Sequence, residues 1–199
     1  KTYLLHGVTG SGKTEVYMEL IAEAAGRGKQ SIVLIPEIAL TYQTVMRFYH
    51  RFGDRVSIMN SKLSPGERSD QFERAKKGEI DVMIGPRSAL FTPFSNLGYI
   101  IIDEEHEGTY KSETIPRYHA RETAIERARM SGATVILGSA TPSIESFYHA
   151  KKGDYLLLSM DKRVKEKPLP ECEIVDLREE LKARNFSILS RSLHEKIEQ

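Results

Sequence analysis

The sequence predicts an α/β fold in which helices cover both faces of a mostly parallel central sheet. Three observations predict it. Short apolar runs recur along the 199 residues, segments with helical spacing separate them, and a glycine-rich segment joins the first run to the first helix. Strands buried on both faces of a parallel sheet read as continuous apolar runs, and their alternation with helices is typical of a doubly wound sheet.

Seven runs rich in Ile, Val and Leu are predicted to be strands. They are Tyr3–Leu5, Ile32–Ile35, Val56–Met59, Val82–Ile84, Tyr99–Ile102, Val135–Leu137 and Tyr155–Leu158. Apolar residues at helical spacing predict one helix around Leu20, which ends near Gly26, and another around Ala124, which ends at Gly132.

The pattern changes after Met160, so we expect a domain of residues 1–160 and a connecting segment of residues 161–199. Residues 161–170 are charged and contain two prolines, which is typical of an exposed connection. Glu173–Val175 is a candidate strand, and Ser190–Gln199 is the predicted start of a helix. The chain lacks an initiator Met and stops inside a helical pattern, so we expect it to be a fragment of a longer protein.

The composition constrains the classes of function only loosely. Lys and Arg total 29 against 28 Asp and Glu, so any binding to nucleic acid must come from a local surface and not from bulk charge. A single cysteine, Cys172, excludes a disulfide within the chain and fits a reducing cytoplasm. We find no signal peptide and no apolar run near the roughly 20 residues that span a bilayer, so we expect a cytoplasmic protein without membrane contacts.

A glycine-rich segment after the first predicted strand carries the most specific motif. It fits the pattern G-x-x-x-x-G-K-[ST] and consists of Gly7, Val8, Thr9, Gly10, Ser11, Gly12, Lys13 and Thr14. Its glycines let backbone N–H groups converge on phosphates at a helix N-terminus, Lys13 adds a charge, and the Thr14 hydroxyl is a ligand for Mg²⁺. The alternative is a glycine-rich turn that matches by chance. The position between a strand and a helix favours a site for ATP and Mg²⁺.

Four polar residues follow the strand predicted at Tyr99–Ile102, in the order Asp103, Glu104, Glu105 and His106. A buried parallel strand delivers such residues to the carboxyl edge of the sheet, where the glycine-rich segment also lies. We expect Asp103 to bind Mg²⁺ and Glu104 to act as the base for the hydrolytic water. Glu105 is expected to point elsewhere, and His106 to hydrogen-bond toward a neighbouring motif. A solvated acidic loop is the alternative.

Several short segments together support a family resemblance. Asp103–His106 is a variant of the D-E-x-H box, and the other segments are Glu15–Tyr17, Pro36–Thr41, Arg87–Phe91, Pro116–Arg121 and Gly138–Ser143. From about Leu4 to Val164 the set resembles superfamily 2 helicases, and among them the bacterial replication-restart helicases. Tyr42, Pro86 and Glu122 depart from the family pattern, but none has a predicted chemical role. The resemblance implies a RecA-like P-loop NTPase lobe with Lys13, Asp103, Glu104 and His106 as its catalytic residues.

The resemblance implies contacts with the tracked DNA strand in two segments. Their candidate residues are Pro36, Thr41, Arg87 and Ser88. Both segments follow predicted strands and can present N–H groups, hydroxyls and one arginine to phosphates. The alternative is that the prolines simply end strands and that Arg87 is solvated.

Ser139, Ala140 and Thr141 follow the strand predicted at Val135–Leu137. They resemble the motif that couples ATP hydrolysis to strand movement, and small hydroxyl residues suit a tight turn that hydrogen-bonds to the acidic box. A plain helix N-cap at Ser139 or Thr141 is the alternative, and both interpretations are compatible.

A polar segment from Glu107 to His119 directly follows the acidic box and interleaves aromatic residues with cations. Its candidate DNA contacts are Tyr110, Lys111, Arg117 and Tyr118, because aromatic rings stack on unpaired bases and cations neutralise phosphates. It resembles the aromatic-rich loop by which this family senses single-stranded DNA. An ordinary surface loop with packed tyrosines is the alternative.

The resemblance finally implies a function for the whole protein. It is an ATP-dependent DNA helicase that moves 3′ to 5′, binds single-stranded and forked DNA, and works with replication-restart (primosome) proteins and single-strand-binding protein. A second lobe supplies an arginine to the ATP site of such helicases, so this chain alone is expected to be inactive. Two alternatives stay open: another superfamily 2 motor, such as an RNA helicase or a translocase, and a nucleotide-regulated DNA-binding module without unwinding activity.

Overall fold

A parallel sheet of seven strands forms the centre of the fold in the computed structural model, which describes residues 1–164 and 171–198. The strands are β1 (Thr2–Gly7), β2 (Gln30–Leu34), β3 (Val56–Ile58), β4 (Val82–Gly85), β5 (Leu97–Asp103), β6 (Thr134–Ser139) and β7 (Leu156–Met160). Their spatial order is β3-β4-β2-β5-β6-β1-β7, and each neighbouring pair is parallel. The predicted fold class is confirmed.

Among the described residues, five helices connect the strands and cover both faces of the sheet. They are α1 (Lys13–Gly26), α2 (Tyr42–Phe52), α3 (Pro65–Lys76), α4 (Ala120–Ser131) and α5 (Ile144–Lys152). Two further helices, α6 (Leu177–Lys182) and α7 (Arg191–Glu198), follow β7 in the chain. Gly132 caps the C-terminus of α4 and takes the left-handed conformation (φ 70°) that glycine adopts without a steric penalty.

Two apolar layers pack on the sheet because successive side chains of a strand point to opposite faces. Ile100 and Ile102 of β5 lie in one layer with Ala124 of α4, and Ile101 lies in the other with Tyr17 of α1. The central strands are therefore buried on both faces, as their unbroken apolar runs predict.

The segments that follow the parallel strands all lie at one carboxyl edge of the sheet. Strand β6 lies between β1 and β5, so the segments after these three strands are neighbours. The segments after β2 and β4 lie on the other side of β5. This arrangement brings the predicted motifs together.

Two strand predictions differ from the structure. β7 is an edge strand, and its Leu156, Leu157 and Leu158 are exposed, not buried on both faces. Glu173–Val175 forms no strand, and the Ile174 side chain is 98% exposed. The helix predicted at Ser190–Gln199 is α7, although Gln199 itself lies outside the described residues.

The chain divides into two compact units, Lys1–Glu166 and Lys167–Gln199. The first unit contains the whole sheet and helices α1 to α5, and the second contains α6 and α7. Much of the charged connection predicted over residues 161–170 lies outside the described residues. In the parts of the chain that the structure describes, no helix is both long and apolar enough to cross a membrane.

Candidate nucleotide site and nucleic-acid interface

The glycine-rich segment forms a tight loop between the end of β1 at Gly7 and the start of α1 at Lys13. The Lys13 Nζ atom donates a hydrogen bond to the Gly7 carbonyl oxygen over 2.7 Å. A Cβ atom on Gly7 would lie 2.6 Å from Ser11 Oγ, so a larger residue there would have to displace the Ser11 side chain. Gly12, the N-cap of α1, has a φ of 93° and no side chain for capping, so the first amide groups of the helix remain available to an anion.

The residues of this loop fit the phosphates of a nucleotide. The Ser11 hydroxyl is buried without a hydrogen-bond partner among the described residues, which indicates that a polar ligand belongs there. The loop opens into a pocket of about 470 Å³. Its lining combines the loop with the acidic box and includes Thr9, Gly10, Ser11, Gly12, Lys13, Thr14, Glu15, Arg47, Asp103, Glu104 and Val164. Two cations, the first amides of a helix and three carboxylates therefore line one cavity.

Asp103 ends β5 inside this pocket, and the Tyr17 hydroxyl of α1 donates a hydrogen bond to its Oδ1 atom over 3.0 Å. Burial raises the pKa of Asp103, against the lowering effects of the Tyr17 hydrogen bond and the Lys13 charge. Burial likewise raises the pKa of Glu104, and the neighbouring Asp103 charge raises it further. The helical pattern of the sequence predicts Tyr17 only as a core residue of α1. Its role as the hydrogen-bond partner of Asp103 could not be predicted from that pattern.

Glu104 has an uncommon backbone conformation, with a φ of 47° although it is not glycine. Its neighbours hold the turn: Glu107 N donates to Glu104 O over 2.9 Å, and Glu105 N donates to Gly138 O over 3.0 Å. Backbone conformations of this kind cluster at functional sites, where the surrounding structure stabilises them. The turn thus belongs to the same pocket as the glycine-rich loop.

His106 links the acidic box to the segment that follows β6. Its Nδ1 atom lies 2.8 Å from Ser139 Oγ, and its Nε2 atom lies 3.5 Å from Thr141 Oγ1. Ser139 Oγ also accepts a hydrogen bond from Thr141 N over 2.9 Å. The expected hydrogen bond from His106 to a neighbouring motif is therefore present. Ala140 lies within this turn, and neither Ser139 nor Thr141 is the N-cap of α5, which is Ser143.

The segments after β2 and β4 line a separate groove of about 700 Å³. Pro36, Arg87 and Ser88 are among its lining residues, together with Ile38, Arg68 and Tyr110. Thr41 lies beyond this lining, and its hydroxyl caps α2 by accepting a hydrogen bond from Thr44 N. The structure therefore brings three of the four predicted backbone-contact residues to one groove.

The aromatic segment after the acidic box contacts this groove through Arg87. The Arg87 Nη1 atom donates hydrogen bonds of 2.8 Å to the carbonyl oxygens of both Thr109 and Lys111. Lys111 and Arg117 are exposed, and the Tyr118 ring packs edge-to-face on Phe91 with 5.2 Å between centroids. Cations and a partly exposed aromatic ring are thus available at this surface.

The predicted base-stacking role is wrong for Tyr110. Its side chain is only 1% exposed, and its hydroxyl donates to the carbonyl oxygens of Leu34 and Asp103 over 3.0 and 2.6 Å. A ring that is enclosed in this way has no face for a base, so Tyr110 supports the sheet edge from inside the domain.

Glu105 points away from the pocket, as expected, but it does not reach solvent. Its carboxylate is buried against Arg121 of α4 and against Ser143 and Ser146 of α5. Sequence reasoning missed this cluster. Arg121 stands in one of the segments that resemble the helicase family, but nothing in its pattern shows that it pairs with Glu105.

A family model described as DEAD/DEAH box helicase matches residues 1–149. The chain belongs to this family. It is 53% identical over 199 residues to the replication restart protein PriA of Bacillus subtilis (strain 168). This alignment covers 100% of this chain and 25% of that protein. It is 48% identical over 195 residues to replication restart protein PriA of Synechocystis, with coverage of 96% and 24%. This DEAD/DEAH box chain thus spans about a quarter of the length of these curated relatives.

The solved structure of RecG bound to a three-way DNA junction has a similar fold. It aligns with a TM-score of 0.58 and 25% identity, over 92% of this chain and 24% of that one. The helicase family that the short motifs indicate is therefore confirmed by both sequence and fold.

Proposed function

We propose that this chain is the ATP-binding motor lobe of a DNA helicase that acts in the restart of stalled replication forks. Three segments that follow neighbouring strands meet at one sheet edge, and this meeting carries the proposal. They hold the Lys13 loop, the Asp103–His106 box and the Ser139–Thr141 turn. Residues 1–160 form the lobe in this proposal, and residues 161–199 lead toward a second lobe.

The nucleotide would be held by residues of this chain with distinct roles. Gly7–Thr14 would hold the phosphates, and Thr14 and Asp103 would be the protein ligands of Mg²⁺. When bound, the metal neutralises the charge that develops on the phosphates and orients them. Tyr17 orients the Asp103 carboxylate. Glu104, whose raised pKa suits a base, would accept the proton of the hydrolytic water in the pocket. His106 and Ser139 connect the pocket to the turn that we assign to coupling.

Single-stranded DNA would lie along the groove between the segments after β2 and β4. Pro36, Thr41, Arg87 and Ser88 would contact its backbone, and Lys111, Arg117 and Tyr118 would contact it from the aromatic segment. The relatives named replication restart protein and the RecG structure on a DNA junction support forked DNA as the substrate. Movement from 3′ to 5′ and contacts with primosome proteins and single-strand-binding protein belong to the same proposal.

Strand displacement by the full-length protein tests this function. We expect ATP-dependent unwinding of a forked DNA duplex, a faster rate with a 3′ single-stranded arm than with a 5′ arm, and little unwinding of the matching RNA fork. Equal activity on RNA forks would instead indicate an RNA motor. DNA binding that responds to nucleotide without unwinding would indicate the regulated binding module.

A further inference from the structure

A buried ion pair joins Glu105 of the acidic box to Arg121 of α4, and it has no role in the chemistry proposed above. The side chain of Glu105 is 0% exposed and that of Arg121 is 10% exposed, and Glu105 Oε2 lies 3.3 Å from Arg121 Nη1. A buried charge is retained at a cost in desolvation, so its partners and its position need an explanation.

The Glu105 carboxylate accepts hydrogen bonds from the start of α5 on both of its oxygens. Ser143 N donates to Oε1 over 2.7 Å, and the Ser143 and Ser146 hydroxyls donate to Oε2 over 3.1 and 2.8 Å. The charge also lies at the helix N-terminus, which favours an anion. Glu105 therefore fastens the acidic box to α5, which begins directly after the Ser139–Thr141 turn.

Arg121 fastens the same carboxylate to α4. It lies in the first turn of that helix, directly after the aromatic segment that ends at His119. Its Nη1 atom also lies 2.7 Å from Ser143 Oγ and 3.1 Å from Ser146 Oγ. One carboxylate thus joins the end of β5, the exit of the aromatic segment and the start of α5.

The residue that this carboxylate steadies is Glu104, which has a left-handed backbone. The Tyr110 hydroxyl holds the preceding residue through Asp103 O, and the Glu105 side chain holds the following one. An uncommon backbone conformation persists only where its surroundings determine it. Loosening Glu105 should therefore let Glu104 relax while the Lys13 loop keeps its shape.

We propose that Glu105 and Arg121 are positioning residues, which hold the Glu104 turn in its working conformation and tie it to the two flanking helices. This inference rests on the proposed ATP hydrolysis at the Lys13–Asp103 pocket. Neither residue lines that pocket, so the pair acts through Glu104 and not on the nucleotide.

The test compares Glu105→Gln with Glu122→Gln in the full-length protein. Both glutamates contact Arg121, but the Glu122 side chain is 58% exposed and reaches Nη2 from the solvent side over 3.0 Å. Glu105→Gln keeps the side-chain volume and an acceptor for Ser143 N while it removes the charge. We expect the kcat of DNA-stimulated ATP hydrolysis to fall about tenfold, or about 1.4 kcal/mol in the barrier, with the ATP KM changed less than about twofold. Glu122→Gln should retain the wild-type kcat.

A double variant separates positioning from stability. Glu105→Gln removes the buried carboxylate partner of Arg121 and leaves it only the exposed Glu122. Glu105→Gln with Arg121→Met removes both charges of the buried pair and should restore the thermal unfolding midpoint. If the pair positions Glu104, kcat stays low in the double variant although its unfolding midpoint is restored. Recovery of kcat together with the midpoint, or a wild-type kcat in Glu105→Gln, would overturn the inference. A wild-type protein without ATPase activity would instead overturn the proposed function itself.

Discussion

The contact between Gly138 and Tyr17 yields a quantitative prediction. A Cβ atom on Gly138 would lie 1.7 Å from the Tyr17 hydroxyl oxygen, and Tyr17 is buried, so Gly138→Ala must displace the ring. Overpacking a core costs about 1–3 kcal/mol, and the displaced hydroxyl also loses its hydrogen bond to the Asp103 carboxylate, worth about 1.5–3 kcal/mol. We expect Gly138→Ala to lower the free energy of unfolding by about 3 kcal/mol. Urea denaturation followed by circular dichroism measures it.

Tyr17→Phe provides the matched background for this prediction. It removes the hydroxyl, so the nearest ring atom to the new Cβ becomes Cζ at 2.8 Å and the overlap is smaller. Gly138→Ala should therefore cost at least about 1 kcal/mol less in the Tyr17→Phe protein than in the wild type. Gly26→Ala, which adds a Cβ into open space at the end of α1, is the control and should stay within about 0.5 kcal/mol. Additive effects of Tyr17→Phe and Gly138→Ala would refute the predicted contact.

Three further variants test the groove and the aromatic segment. Arg87→Ala should weaken single-stranded DNA binding about tenfold and lower the salt dependence of that binding, both measured by fluorescence anisotropy. An unchanged salt dependence would show that Arg87 does not contact a phosphate. Tyr118→Ala should weaken the same binding by about 1–3 kcal/mol if one base stacks there, and a superimposable binding curve would make it a packing residue. Tyr110→Phe should leave DNA affinity unchanged but lower the free energy of unfolding by about 1–2 kcal/mol, because the carbonyl groups of Leu34 and Asp103 lose their donor. A loss of affinity without a loss of stability would show that Tyr110 contacts DNA after all.

The sequence predicts the strands well where burial is continuous. The run at Tyr99–Ile102 becomes the centre of β5, because every residue of a central parallel strand faces a helical layer. The same signal fails at the ends of the sheet. The leucines of β7 read as buried, but strand order places them at an edge, and strand order is a property of the whole fold. Glu173–Val175 has strand-like residues but forms no strand in the part of the chain that the structure describes.

The same contrast holds for the site: the sequence predicts its short motifs, but not the contacts between residues that are distant in sequence. The Lys13 loop and the Asp103–His106 box are short motifs, and the carboxyl-edge rule predicts that they meet. The partners of the acidic box are distant in sequence: Tyr17 is 86 residues from Asp103, and Arg121 is 16 residues from Glu105. Only the tertiary structure shows these pairs. Tyr110 shows the opposite error, because a tyrosine in a polar segment reads as exposed although the chain folds it inward.

Nucleotide affinity tests the central claim most directly, namely that the loop at Lys13 is an ATP site. Titration of a fluorescent ATP analogue with Mg²⁺ should give saturable binding to the wild-type chain. Lys13→Ala should weaken it by about 1.5–3 kcal/mol, or about 10- to 150-fold, because a charge-assisted phosphate contact is lost. Lys29 is exposed and precedes the amino end of β2, whereas the Lys13 loop lies at the carboxyl edge of the sheet. Lys29→Ala should therefore bind the analogue like the wild type. Equal affinities of the wild type and Lys13→Ala would contradict the account.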